Sequence, residues 1–306
     1  MRHVLTLLEL TTAEIQRVFD LTEEIKHKLH LGVREPLLAG RVMAMIFEKP
    51  SLRTRVSFQT GMAHLGGTSL FLGEDVGWGK RESIADFTQV LSGYADVIVF
   101  RAKAHQQVEA MAKHATCPVI NGLSDQAHPC QALADLFTLQ ELNGPLAGQQ
   151  VAYVGDANNV ARSLAVACGK LGVRFAVAAP PGYHFSEAVL GQLREAVPTL
   201  DLLVTTDPAE AVREADAVYT DVWASMGQEA EQQQRAQAFA GYQVNEQLMQ
   251  QAPSGAWFLH CLPAHRGEEV TDGVIDSPQS AVIRQAANRL HVQKGLLVWL
   301  LATSES

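Results

Sequence analysis

Lys49, Ser51, Arg53 and Thr54 crowd the point where an apolar run stops and a helical pattern begins, a combination suited to capturing an anion. The run Val42 to Phe47 has the length and composition of a strand buried on both faces of a parallel sheet. Val56, Phe58, Met62 and Leu65 then recur at helical spacing, which places Ser51 as the N-cap of the following helix. Unpaired backbone N–H groups and the positive end of the helix dipole would meet there, most naturally on a phosphate. Two residues apart, Arg53 and Arg55 lie roughly 200° around a helix axis from each other, so only one can face the ligand. Arg53 is assigned to the ligand and Arg55 to a structural ion pair. The competing reading is a basic first turn on a solvated surface.

Four further junctions carry polar groups at the carboxyl ends of apolar runs, where open α/β sheets bind ligands. Arg101 follows Ala95 to Phe100, as a ligand group or a plain surface residue. His128 and Gln131 flank Pro129, which suits the first position of a helix. Side by side they could hold a carbonyl and an amide, or simply be a capping histidine and a surface glutamine. Asp221 closes the run Ala217 to Val222, and His260 and Cys261 close Trp257 to His260. With His265 these two could suggest a metal, but structural zinc wants four ligands and no second Cys/His pair supports it. No metal is expected.

The elements that must position these groups are legible as strands and helices in alternation. At 306 residues the chain can hold about two domains. A first α/β series ends in turn residues around Asn143 to Gly148, and a second starts with the strand from Gln150. That strand opens like a dinucleotide-binding unit, but of the G-x-G-x-x-G pattern only Gly155 is present, with Ala157 and Val160 at the other glycine positions. One or two apolar helices, Ala281 to Leu290 and Val292 to Leu301, finish the chain.

Apolar residues make up 47% and charged residues 19%, ordinary values for a globular protein, and no run reaches the roughly 18 apolar residues that span a bilayer. No membrane association is expected. The first residues lack the apolar core of a signal peptide, and a cytoplasmic protein is expected. A net charge of −9 argues against nucleic-acid binding, so the cations from Lys49 to Arg55 stand out as a local site. Cys117, Cys130, Cys168 and Cys261 form no CxxC pair and read as free thiols. Residues 73 to 83 read as a long polar loop with Trp78 exposed beside Lys80.

Taken together, Ser51-Leu52-Arg53-Thr54-Arg55, His128-Pro129-Cys130-Gln131, Asp221 with Ser225-Met226-Gly227, and His260-Cys261-Leu262-Pro263 strongly resemble the aspartate/ornithine transcarbamoylase family, over essentially the whole chain. The last two motifs are similar to the ornithine-specific members. The resemblance implies an α/β protein of two doubly wound parallel-sheet domains joined by helices. Residues 1–143 would bind carbamoyl phosphate and 144–286 ornithine, with a C-terminal helix, 287–303, returning to the first domain. It implies a homotrimer or a multiple of trimers with sites at subunit interfaces, and no cofactor. The reaction would be attack of the ornithine side-chain amine on the carbamoyl carbon, giving citrulline and phosphate.

By the same resemblance Ser51, the Leu52 amide, Arg53 and Thr54 hold the phosphate, Arg101 bridges phosphate and carbonyl oxygen, His128 bonds that oxygen and Gln131 the NH2 group. Arg289 reaches back to carbamoyl phosphate. Asn159, Asp221, Ser225 and Met226 bind ornithine, Cys261 sits near the attacking amine, and the Leu262 carbonyl accepts from the carbamoyl nitrogen. Lys80 is carried over as a further candidate. The alternatives are a transcarbamoylase for an acylated ornithine, aspartate or putrescine, a non-catalytic anion sensor, and a dehydrogenase.

Overall fold

The computed structural model describes residues 1–73, 76–79, 81–224 and 231–302. It divides into two compact units, residues 1–134 with 287–306 and residues 135–286. The division falls inside two helices, α5 (Pro129–Asn143) and α12 (Val282–Leu301), each of which starts in one unit and ends in the other.

In the first unit, β1 (Val42–Phe47), β2 (Thr68–Leu72), β3 (Val97–Arg101) and β4 (Val119–Leu123) form a parallel sheet in the order β2-β1-β3-β4. Met43 to Ile46 and Val97 to Phe100 are buried, as strands covered on both faces must be. Helices α1 (Thr12–His30), α2 (Leu52–His64), α3 (Ile84–Ser92) and α4 (His105–His114) complete this unit together with the later part of α12. α1 starts in a capping box, with Thr11 and Glu14 satisfying each other's backbone N–H groups. α12 lies against α1 at Gly295, where an added Cβ would stand 2.7 Å from the Val18 carbonyl oxygen, so glycine sets how near the two helices come.

The second unit is also all-parallel, in the order β7-β6-β5-β8-β9, with β5 (Gln150–Val154), β6 (Arg174–Ala178), β7 (Leu202–Thr205), β8 (Ala217–Thr220) and β9 (Trp257–His260). Helices α6 (Asn159–Leu171), α7 (Glu187–Ala196), α8 (Pro208–Val212), α9 (Gln232–Ala238), α10 (Glu246–Met249) and α11 (Asp272–Ile275) surround it. One of its cores gathers Val154, Ala178, Val218, Phe239, Phe258 and Val274. The final segment is one continuous helix, so of the two forms expected the single one is found. Among the described residues no helix is long and apolar enough to cross a membrane.

In each sheet the strand order reverses once, between β1 and β3 in the first unit and between β5 and β8 in the second. Connections leave these strand pairs in opposite directions, which opens a crevice at their carboxyl ends. The polar residues singled out from sequence follow these strands or their neighbours.

Candidate active site

The first crevice is built by a strand that stops and a helix that needs a cap. Ser51 is extended (φ −159°, ψ 113°) and its Oγ accepts from the Thr54 backbone N–H at 3.2 Å, the expected N-cap. Leu52 is 74% exposed, so its side chain turns to solvent and only its backbone can serve the crevice. Arg101 pairs with Phe47 in the β1–β3 register, and its carbonyl accepts from the Glu48 N–H at 2.9 Å. Strand pairing therefore sets Arg101 beside the anion loop.

Four more groups converge there. Arg289 on α12 donates to Gln131 Oε1 at 2.5 Å and to Thr54 Oγ1 at 2.8 Å. Thr54, Gln131 and Arg289 are all buried. His128 is buried as well, and its pKa is held well below the usual imidazole value, first by burial and then by the positive charges of Arg289, Arg101 and Arg53. Three guanidinium groups thus surround one neutral imidazole. The same burial pushes the Cys130 thiol up to about 12, which leaves the sulfur of this motif protonated and unreactive.

Arg55 departs from expectation. Among the described residues no carboxylate pairs with it; its guanidinium lies 3.7 Å from the centre of the Phe71 ring and its Nε donates to Gln59. The ring on the adjacent strand β2 offers a weakly hydrated guanidinium a face to stack on, which an acid there would not. Trp78 departs too. It packs edge-on against Phe87 and Phe100 and donates from Nε1 to Glu48 Oε1 at 3.3 Å, so it is half-buried and not an exposed loop-tip residue. Glu48 also accepts from the Lys103 N–H and from Gln107, tying this loop to the turn after Arg101. Lys80 lies outside the described residues.

The second crevice centres on Asp221, buried at the end of β8. Its carboxylate accepts from Cys261 Sγ at 3.0 Å, from Asn158 Nδ2 at 2.9 Å and from the Val222 N–H at 2.8 Å. A carboxylate has about four acceptor positions, so one direction is left for a further donor. Asn159, the expected ligand, stands half-buried in the first turn of α6. Its neighbour Asn158 was missed; its Oδ1 caps α6 by accepting from the Val160 and Ala161 N–H groups while its amide nitrogen holds Asp221. An asparagine directly before a helical pattern is the signal that could have found it. Arg235 was missed as well: it pairs with Asp156 at 2.7 Å and donates to the Trp223 carbonyl, joining the loops after β5 and β8. Ser225 and Met226 lie outside the described residues.

The loop after β9 is held from below. His260 Nδ1 accepts from the Leu262 N–H at 2.8 Å, which fixes the proton on Nε2, 3.2 Å from Glu269 Oε1. Leu262 has φ +56°, a left-handed conformation uncommon for a branched residue, and a cis bond joins it to Pro263. Asp221, His260 and Cys261 also present three ligand atoms within 4.8 Å of one another, as do His265, Glu268 and Glu269. In the first set both ring nitrogens of His260 already serve protein partners, and the thiol and the carboxylate serve each other.

Residues 2–141 match the carbamoyl-P binding domain, and residues 147–300 the Asp/Orn binding domain, of the aspartate/ornithine carbamoyltransferase family. An ornithine carbamoyltransferase of Anoxybacillus flavithermus is 53% identical over 97% of this chain and 96% of its own length. An anabolic ornithine carbamoyltransferase of Pyrococcus furiosus is 50% identical over 98% of this chain and 96% of its own. The solved structure of an ornithine carbamoyltransferase from Pyrococcus furiosus superposes with a TM-score of 0.96 at 48% identity, covering 99% of this chain and 98% of that one. One from Thermus thermophilus gives 0.88 at 42% identity, with 98% of each chain covered. This chain belongs to the aspartate/ornithine carbamoyltransferase family.

Proposed function

We propose that the protein transfers the carbamoyl group of carbamoyl phosphate to the side-chain amine of L-ornithine, giving L-citrulline and phosphate. Ser51, the Leu52 N–H, Arg53 and Thr54 take the phosphate. Arg101 and neutral His128 take the carbonyl oxygen, and Gln131 takes the NH2 group. Arg289 orients Gln131 and Thr54 and adds its charge to the phosphate. As the amine attacks, negative charge grows on the carbonyl oxygen, and donors already aimed at it lower the barrier most. A neutral His128 can donate a hydrogen bond there without adding a fourth positive charge to the crevice.

The observation that carries the amine assignment is the buried Asp221 accepting from Cys261. Its remaining acceptor direction suits the α-ammonium of free ornithine, with Asn159, Ser225 and Met226 completing the site and Cys261 meeting the side-chain amine. An acylated α-nitrogen carries no charge, and a buried carboxylate facing it would cost several kcal/mol. The attacking amine must be deprotonated, since an ammonium has no lone pair, and departing phosphate can accept that proton. Assembly into trimers or multiples of trimers and a cytoplasmic location follow from the family likeness. Light scattering tests the first, with a mass other than a multiple of three chains counting against it. Stoichiometric release of citrulline and phosphate from carbamoyl phosphate and ornithine tests the reaction. Binding of both without turnover would overturn it in favour of an anion sensor.

A further inference from the structure

Lys294 sits on α12, five residues beyond Arg289, and is 1% exposed. With His64 at the end of α2, Arg34, Lys28 and Glu35, it lines a recess of about 250 Å³, including the solvent-open mouth. The stem of Lys294 reaches it by passing Gly61 of α2, where an added Cβ would meet the lysine Cγ at 3.3 Å.

The charges around this recess do not balance. Glu35 is the one acid among the described lining residues, and Lys28 holds it at 2.8 Å while also pairing with Glu24. Among the described residues no carboxylate pairs with Lys294, whose ammonium meets solvent only through the recess. A largely desolvated ammonium is costly, and a neighbouring guanidinium makes it more so. Burial first, then Arg34, lowers the Lys294 pKa to about 8, which leaves the group mostly charged at neutral pH. The His64 pKa is lowered by burial and then by Lys294 and Arg34, and its buried Nδ1 has no hydrogen-bond partner. Three nitrogen groups from three segments therefore face one small space whose own acid is already engaged.

We propose that the recess between Lys294, His64 and Arg34 is a binding site for a small oxyanion. Such an ion supplies charged acceptors to the lysine in place of water, and exposed Arg34 lines the same recess. Most of that volume belongs to the open mouth and the enclosed part has room for only a very small ligand, so a nucleotide is excluded. An ion there bridges α2 and α12, the helices whose other residues include Arg53, Thr54 and Arg289. Its occupancy therefore stiffens the frame of the first crevice without touching that crevice.

Crystals of the intact assembly soaked in selenate give the direct test. An anomalous peak among Lys294 Nζ, His64 and Arg34 is expected. No peak, or a carboxylate from a second copy of the chain seated on Lys294, would overturn the proposal. In solution, phosphate should raise the melting temperature of the wild type through this recess as well as through the first crevice. Lys294→Met and Arg34→Gln should each weaken the recess component about tenfold or more, with citrulline formation by Arg34→Gln unchanged. Arg34 lies on the exposed rim, so that variant reads out even if Lys294→Met folds poorly. Identical phosphate responses in all three proteins would contradict the site.

Discussion

Arg289 donates to Thr54 across 235 positions of sequence, at 2.8 Å and out of contact with solvent. A helix near the end of the chain thus completes a loop near its beginning. Arg289→Ala should raise the KM for carbamoyl phosphate by about 30-fold or more, the roughly 2–5 kcal/mol expected when one partner of a buried charged bond is removed. It also strips a donor from Gln131 and Thr54, so the chain should lose about 1–3 kcal/mol of stability. Steady-state kinetics and urea unfolding check both; an unchanged KM would remove Arg289 from the site.

Arg53 and Arg55 should separate cleanly. Arg53→Ala should abolish saturation by carbamoyl phosphate. Arg55→Ala, which unstacks a guanidinium from Phe71 and removes its solvent-exposed bond to Gln59, should leave that KM alone and cost about 0.5–1 kcal/mol. Equal kinetic damage from both would contradict the assignment.

His128 predicts a pH dependence of stability. Its folded pKa lies below the unfolded value of about 6.5, so on acidification the unfolded chain takes up the proton first. Stability from this residue is therefore full above about pH 6.5, falls as pH drops below it, and levels off only beneath the folded pKa. The slope reaches about 1.4 kcal/mol per pH unit. His128→Asn should flatten the stability curve between pH 5 and about 6.5 by up to one proton. Parallel curves for variant and wild type would show that His128 takes up its proton equally in the folded and unfolded chains, which would contradict its being held neutral.

Glu269 should matter through His260. Glu269→Ala leaves a buried imidazole N–H without an acceptor and should cost about 1–3 kcal/mol along with a fall in kcat, because the Cys261–Leu262 loop loses its support. Glu269→Gln keeps an acceptor oxygen and should recover most of the stability. Failure of glutamine to recover it would mean that the charge, not the hydrogen bond, is what His260 needs.

Much of this was readable from sequence because the information was local. The apolar run Val42 to Phe47, the capping Ser51 and the helical pattern after it specify the first junction within about 25 residues, and the strand ends carrying Arg101, Asp221 and His260 were found in the same way. Arg289 has no local mark of its role; only the family likeness pointed to it. The stacking of Arg55 and the burial of Trp78 depend on Phe71, Phe87 and Phe100, which adjoin them only after the chain has folded. α4 and α7 were not anticipated, since they bury only Val108 and Met111 besides His105, and Leu190 and Leu193, too few apolar positions for a clear period. Asn159 was named from the family likeness, whereas the part played by Asn158 shows only once its amide is seen to reach Asp221.

The central claim is that Asp221 selects an amine with a free α-ammonium. It is tested most directly by assaying wild type and Asp221→Asn with saturating carbamoyl phosphate and, in parallel, ornithine, acetylornithine, aspartate and putrescine. The account predicts turnover of ornithine alone by the wild type. In Asp221→Asn, kcat/KM for ornithine should fall about 100-fold or more, with the KM for carbamoyl phosphate unchanged. Preference for acetylornithine or putrescine, or an Asp221→Asn enzyme as active on ornithine as the wild type, would contradict it.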